Sequence, residues 1–118
     1  YAKKMVANGC TFLCEGANGP TTPDAIAYLK ENNVVIGPCK AANAGGVACS
    51  CLEMSQNAQH IFFSEEDVYA QLEAIMVSIH KQAEEACAKY NLGYDLMAGA
   101  NIAGFERIAN AMMLQGVV

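Results

Sequence analysis

The sequence predicts an α/β fold in which a parallel strand–helix–strand unit is followed by three helices. Three observations carry this. Two short apolar runs, "TFLC" (Thr11–Cys14) and "VVI" (Val34–Ile36), flank a segment that opens with a helix-start signal. From Val68 through Leu72, Ile75, Met76, Ile79, Ala83 and Cys87 to Tyr90, apolar residues recur at three- and four-residue steps, the period of an amphipathic helix. Beyond it, Ile102, Phe105, Ile108, Met112 and Met113 mark the expected buried side of a last helix, from about Gly99 to Gln115.

Each element has a local reason. Tyr1 to Val6 reads as the last turns of a helix, with Lys3 and Lys4 at its negative end and Gly9 as a left-handed stop. In "GPTTPDA", Thr22 is the N-cap, Pro23 fills the first helical position and Asp24 suits the positive helix end. That helix runs through Ile26 and Leu29 to Lys30 or Glu31, where "ENN" breaks it ahead of the second strand. Ala48 to His60 is expected to form the next helix. In "FSEEDV", Ser64 caps, Asp67 stands where a capping box needs it, and Phe63 can staple onto Val68. The long helix is expected to stop at Gly93 in "YNLG", and Gly116 to close the last one.

Parallel strands are normally buried with neighbours on both sides, and a crossover helix joins them. Two strands make a poor sheet. The expectation is therefore a piece of a larger protein, entered inside a helix and without an initiating Met.

Bulk properties exclude several classes. The chain has 118 residues, 53% of them apolar and 16% charged, which fits one well-buried domain at most and not a disordered segment. Its formal net charge is −5, and its seven Lys and Arg form no basic patch, so nucleic acid is not an expected partner. No apolar run reaches membrane-spanning length and no signal peptide is visible. The six cysteines contain no Cys-x-x-Cys pair, and His60 and His80 have no ligand spacing to them. They are expected to be free thiols in a reducing cytosol, with no metal.

Two segments share one design. "EGANGPTT" and "KAANAGGVACS" each follow a strand and precede a helix, and each places an asparagine, Asn18 or Asn43, in a small-residue loop. Ligands of open parallel sheets sit at the carboxyl ends of the strands. Gly45 and Gly46 would let a flat ring approach the backbone, and an asparagine offers both donor and acceptor to a carboxamide or a ribose hydroxyl. Amides at the helix start would favour a carboxylate, with Val47 and Ser50 three residues apart on one face. The same residues also suit plain turns, and a helical serine usually bonds its own backbone, so both readings stand at this point.

"EGANGPTTPDA", "GPCKAANAGGVACSCLEMSQN", "IMVSIHKQA" and "AGANIAGFERIANAMMLQGVV" together resemble the C-terminal part of glutamate dehydrogenase, of the hexameric, microbial, NADP-linked type. The resemblance covers nearly the whole chain. The related leucine and phenylalanine dehydrogenases share the Asn-Ala-Gly-Gly run, but "EMSQN" and "GANIAGF" favour glutamate. The short link "YNLGYDL" differs from the animal enzymes, which carry a long antenna insertion in this region.

The resemblance implies the end of a Rossmann-like dinucleotide-binding domain over residues 1–47 and a helical C-terminal segment over 48–118. It implies a cytoplasmic homohexamer that interconverts L-glutamate with 2-oxoglutarate and ammonia, with NADP, or alternatively NAD, as coenzyme. Asn18, Asn43, Gly45 and Gly46 would serve the coenzyme, Asn18 at the nicotinamide ribose and Asn43 at the carboxamide or the reacting end of the substrate. Val47 would pack on the substrate chain and Ser50 would bond its side-chain carboxylate. The family's glycine-rich pyrophosphate turn has no counterpart here, since no G-x-G-x-x-G occurs, nor can its catalytic Lys and Asp be located. The chain alone is thus expected to be inactive. The alternatives are a dehydrogenase of another amino acid and a non-catalytic helical interaction module.

Overall fold

The structure, a computed structural model, describes residues 1–116. Along the chain lie α1 (Ala2–Ala7), β1 (Phe12–Cys14), α2 (Pro23–Glu31), β2 (Val35–Gly37), α3 (Cys39–Ala42), α4 (Ala44–Gln59), α5 (Glu65–Lys89) and α6 (Leu96–Gln115). β1 and β2 pair in parallel, with Phe12 opposite Val35, Leu13 opposite Ile36 and Cys14 opposite Gly37. The chain is α/β and helix-rich, and α2 is the crossover that parallel pairing requires.

Local chemistry sets the crossover. Thr22 Oγ1 accepts from the Ala25 N–H at 3.4 Å, Pro23 fills the first helical position, and Asn33, at φ +59°, turns the chain out of α2. The core beneath the sheet consists of Leu29, Val34 and Ile36, all buried, with Val6, Leu13, Ile26 and Met97 packed around them. A second packing layer pairs α5 with α6 through Ala83, Ala86 and Cys87 on one side and Leu96 and Gly99 on the other. α5 begins where Ser64 Oγ accepts from the Asp67 N–H at 3.1 Å and donates to Asp67 Oδ2 at 2.8 Å, so the reciprocal arm joins the two side chains.

Several expectations need correction. α4 starts at Ala44, not Ala48, and the stretch expected to be a loop holds the short α3 and the first turn of α4. Lys40, Ala41 and Ala42 are strong helix formers, and glycines cost least in a first turn, whose amides lack intrahelical partners anyway. The 47/48 boundary accordingly falls inside a continuous helix. α5 ends at Lys89, and the residue that first takes the left-handed conformation is Asn91 at φ +55°, ahead of Gly93. α6 starts at Leu96 because Asp95 caps it, accepting from the Ala98 N–H at 3.1 Å.

The apolar side of α6 is also not where it was expected. Phe105 is 69% exposed and Met113 77%, and Ile108 and Met112 are exposed as well. Leu96 and Gly99 at its beginning are the buried ones. Among the described elements α6 packs chiefly on α5 and β2, and these four side chains stay exposed.

Candidate functional site

Beyond the paired strands the two exits run side by side and are tied together three times. The Glu15 N–H donates to Gly37 O at 3.1 Å, ending the sheet ladder. Next, the Cys39 N–H donates to Glu15 Oε2 at 3.2 Å. Finally, Asn43 Nδ2 donates to Asn18 Oδ1 at 2.7 Å. The two asparagines that the sequence places in separate segments are thus in direct contact.

Asn43 is placed by a shared role. It ends α3 and begins α4, with φ −93° and ψ 1°, and its side chain makes no cap bond to the helix it starts. An N-cap asparagine ordinarily spends its side chain on the helix amides. Here the side chain goes across to Asn18, which is exposed in the loop beyond β1. The contact uses one donor and one acceptor, leaving the Asn18 amide N–H groups and the Asn43 carbonyl for a further partner. Amide donors and a carbonyl acceptor are groups that can bond a carboxamide or a ribose hydroxyl.

With α4 starting at Ala44, Asn43, Val47 and Ser50 fall at intervals of four and three and share one face. Val47 is 69% exposed, and Ser50 is exposed, its Oγ donating to Gly46 O at 3.2 Å. The two glycines do different things. A Cβ on Gly45 would meet Leu72 Cδ1 at 3.4 Å and Met76 Sδ at 3.5 Å, so Gly45 faces α5. A Cβ on Gly46 would meet nothing within 4 Å, so Gly46 lies on the open side with Val47 and Ser50.

Two contributors were invisible as site residues in the sequence. Glu15 is buried, at 3% exposure, at the start of the small-residue loop, and its Oε1 has no hydrogen-bond partner among the described residues. Lys40 donates to Asn101 Oδ1 and so moors α3 to α6. The only sequence hint for Glu15 is a carboxylate directly after a buried strand.

Other regions lack this convergence. An apolar cleft of about 250 Å³ between the sheet and α5, lined by Phe12, Val35, Ala41, Met76 and Leu96 among others, offers mainly hydrocarbon. Among the described residues no cluster of His, Cys, Asp and Glu could hold a metal ion, and the six cysteines are unpaired thiols. No helix of the described residues is long and apolar enough to cross a membrane.

The family model described as Glutamate/Leucine/Phenylalanine/Valine dehydrogenase matches residues 1–116. The NAD-specific glutamate dehydrogenase of Clostridium symbiosum is 48% identical over 117 residues, spanning 98% of this chain and 26% of its own length. The NADP-specific glutamate dehydrogenase of Haemophilus influenzae is 46% identical over 123 residues, again 98% of this chain and 26% of its own. A crystal structure of Plasmodium falciparum glutamate dehydrogenase superposes with a TM-score of 0.94 at 49% identity, covering 99% of this chain and 25% of that one. The chain therefore spans about a quarter of the length of the relatives it matches, and it belongs to the glutamate/leucine/phenylalanine/valine dehydrogenase family.

Proposed function

We propose that this chain is the C-terminal part of an NAD(P)-dependent glutamate dehydrogenase, in which the exits of β1 and β2 receive the nicotinamide end of the coenzyme beside the substrate. The 2.7 Å contact between Asn18 and Asn43 carries the reading, because it brings the two asparagine side chains together at the carboxyl ends of parallel strands. On this reading Asn18 serves the ribose region and Asn43 the carboxamide. Gly46 keeps the approach clear, while Gly45 keeps α4 close to α5.

The coenzyme, when bound, supplies the hydride acceptor. The residues here bind and orient. Val47 lies against the aliphatic part of L-glutamate, and Ser50 releases its bond to Gly46 O to donate to the distal carboxylate. The Lys and Asp that move protons between amino acid, 2-oxoglutarate and ammonia belong to the longer protein. NAD and NADP differ at the adenosine ribose, remote from this end, and relatives of both specificities match nearly equally well, at 48% and 46% identity. NADP is the choice that the sequence resemblance favours. Residues 1–47 then complete a Rossmann-like domain, α4 carries the chain across to the helical segment 48–118, and the assembled enzyme is a cytoplasmic homohexamer.

Ser50 supports glutamate over an aliphatic amino acid, since a leucine side chain gains nothing from a hydroxyl. In the intact enzyme, Ser50→Ala should raise the KM for glutamate about tenfold and leave that for the coenzyme in place. Unchanged glutamate turnover in Ser50→Ala would remove the assigned role.

A further inference from the structure

We propose that Glu15 is a positioning residue that sets the asparagine pair for coenzyme binding. The proposal rests on the reading of that pair just given. Glu15 precedes Asn18 by three residues, and Cys39 precedes Asn43 by four, so the Glu15–Cys39 bond is the rung directly below the Asn18–Asn43 bond. Without it, the last tie between the two exits before the asparagines would be the sheet bond from Glu15 N to Gly37 O. The loop carrying Asn18 and the α3 turn carrying Asn43 could then drift apart.

The burial of this carboxyl argues for a purpose. Oε2 takes the Cys39 N–H, while Oε1 is enclosed with no partner among the described residues. An enclosed polar oxygen without a donor is costly, and a chain selected for stability alone would place an apolar residue there. Local rules of this kind are broken chiefly where a site must be held in one arrangement. Among the described residues Glu15 makes no side-chain hydrogen bond to Asn18 or Asn43, so its influence reaches them through the backbone at Cys39.

The test uses the intact enzyme, with coenzyme affinity followed by fluorescence titration and confirmed by KM and kcat. Asn43→Ala should weaken coenzyme binding about tenfold, and Glu15→Ala should do so by a similar factor, with KM moving more than kcat. Glu15→Gln, whose amide oxygen can still accept from Cys39, should stay within about twofold of the parent. Added to Asn43→Ala, Glu15→Ala should change little further, within about twofold, because it acts through that residue. If Asn43→Ala weakens coenzyme binding and Glu15→Ala lowers only the melting temperature, or if the two effects multiply, positioning is refuted. If Asn43→Ala has no effect, the reading of the pair fails, and this inference with it. Should Glu15→Ala not fold, Cys39→Pro decides: it deletes the donor at the first position of α3, where Pro38 is already extended at ψ 145° and proline is tolerated. Full coenzyme affinity in Cys39→Pro would refute the proposal.

Discussion

Gly99 lies directly against the backbone of Ala83: a Cβ on this glycine would stand 2.3 Å from the Ala83 carbonyl oxygen and 2.6 Å from Cys87 Sγ. The α5–α6 contact, the most extensive in the molecule, is therefore drawn to backbone distance at this point. Neither neighbour can yield cheaply, since one is helix backbone and the other a buried side chain. Gly99→Ala gains helix propensity but should still destabilise the chain by about 1–3 kcal/mol through overpacking. Urea denaturation of the purified chain checks this, and an unchanged midpoint would mean the helices can separate freely.

Gly46 makes the opposite case. It sits in the first turn of α4 with open space where a Cβ would go and no left-handed φ to protect. Gly46→Ala should stabilise the fold by about 0.5–1 kcal/mol. If the nicotinamide end approaches this surface, the same methyl should weaken coenzyme binding in the intact enzyme. Stability and affinity then move in opposite directions. A variant that gains both would place the coenzyme elsewhere.

Asp95 joins α2 to α6 and makes stability depend on acidity. Burial pushes its carboxyl up, but the Lys30 ammonium at 2.7 Å and the amides of Ala98 and Met97 outweigh this and hold it below the usual aspartate range. A carboxyl depressed in the folded state contributes stability that is complete above its unfolded pKa, near 3.9, and is lost as pH falls through its lower folded value. Asp95→Asn should therefore flatten the acid limb of the stability curve below about pH 4. Asp95→Ala, which also loses the cap, should cost about 1–2 kcal/mol near neutrality, most of it from the cap because the ion pair is about one-third exposed. Parallel acid limbs for the parent and Asp95→Asn would contradict the assignment.

What the sequence made legible follows the range of the forces involved. Thr22, Pro23 and Ser64 act on amides within three residues, and the structure places them as caps and first-turn residues as expected. The start of α4 is not legible because Asn-Ala-Gly-Gly has turn chemistry, while the helix is held there by packing of Gly45 on α5. The periodicity of Phe105, Ile108 and Met112 reports a face that needs covering, and says nothing of what covers it. Asn18 and Asn43 could be picked out by their matched placement, but their contact joins residues 25 apart. Glu15 depends on a backbone amide 24 residues away, and no local pattern encodes that.

The chain by itself should form no NADPH or NADH from glutamate. The asparagines proposed to receive the nicotinamide end meet at the two strand exits, but the sequence offers no glycine-rich G-x-G-x-x-G turn to hold a pyrophosphate. The titratable groups with shifted pKa values make the same point. Lys89 is raised by its hydrogen bond to Glu106, and Glu106 is lowered by the same bond. That pair lies on the exposed α5–α6 surface, far along the chain from Asn18 and Asn43. Asp95 is committed to Lys30 and to capping α6. Neither of these carboxyls lies beside the asparagines, and Glu15, one rung below them, is enclosed and bonded to the Cys39 amide, so among the described residues none is placed to exchange the substrate's protons. Incubating the purified 118-residue chain with glutamate and either coenzyme, and following absorbance of the reduced form, should give no signal above the buffer. Turnover by this chain alone would show that proton transfer and pyrophosphate binding are both met by residues assigned here to packing.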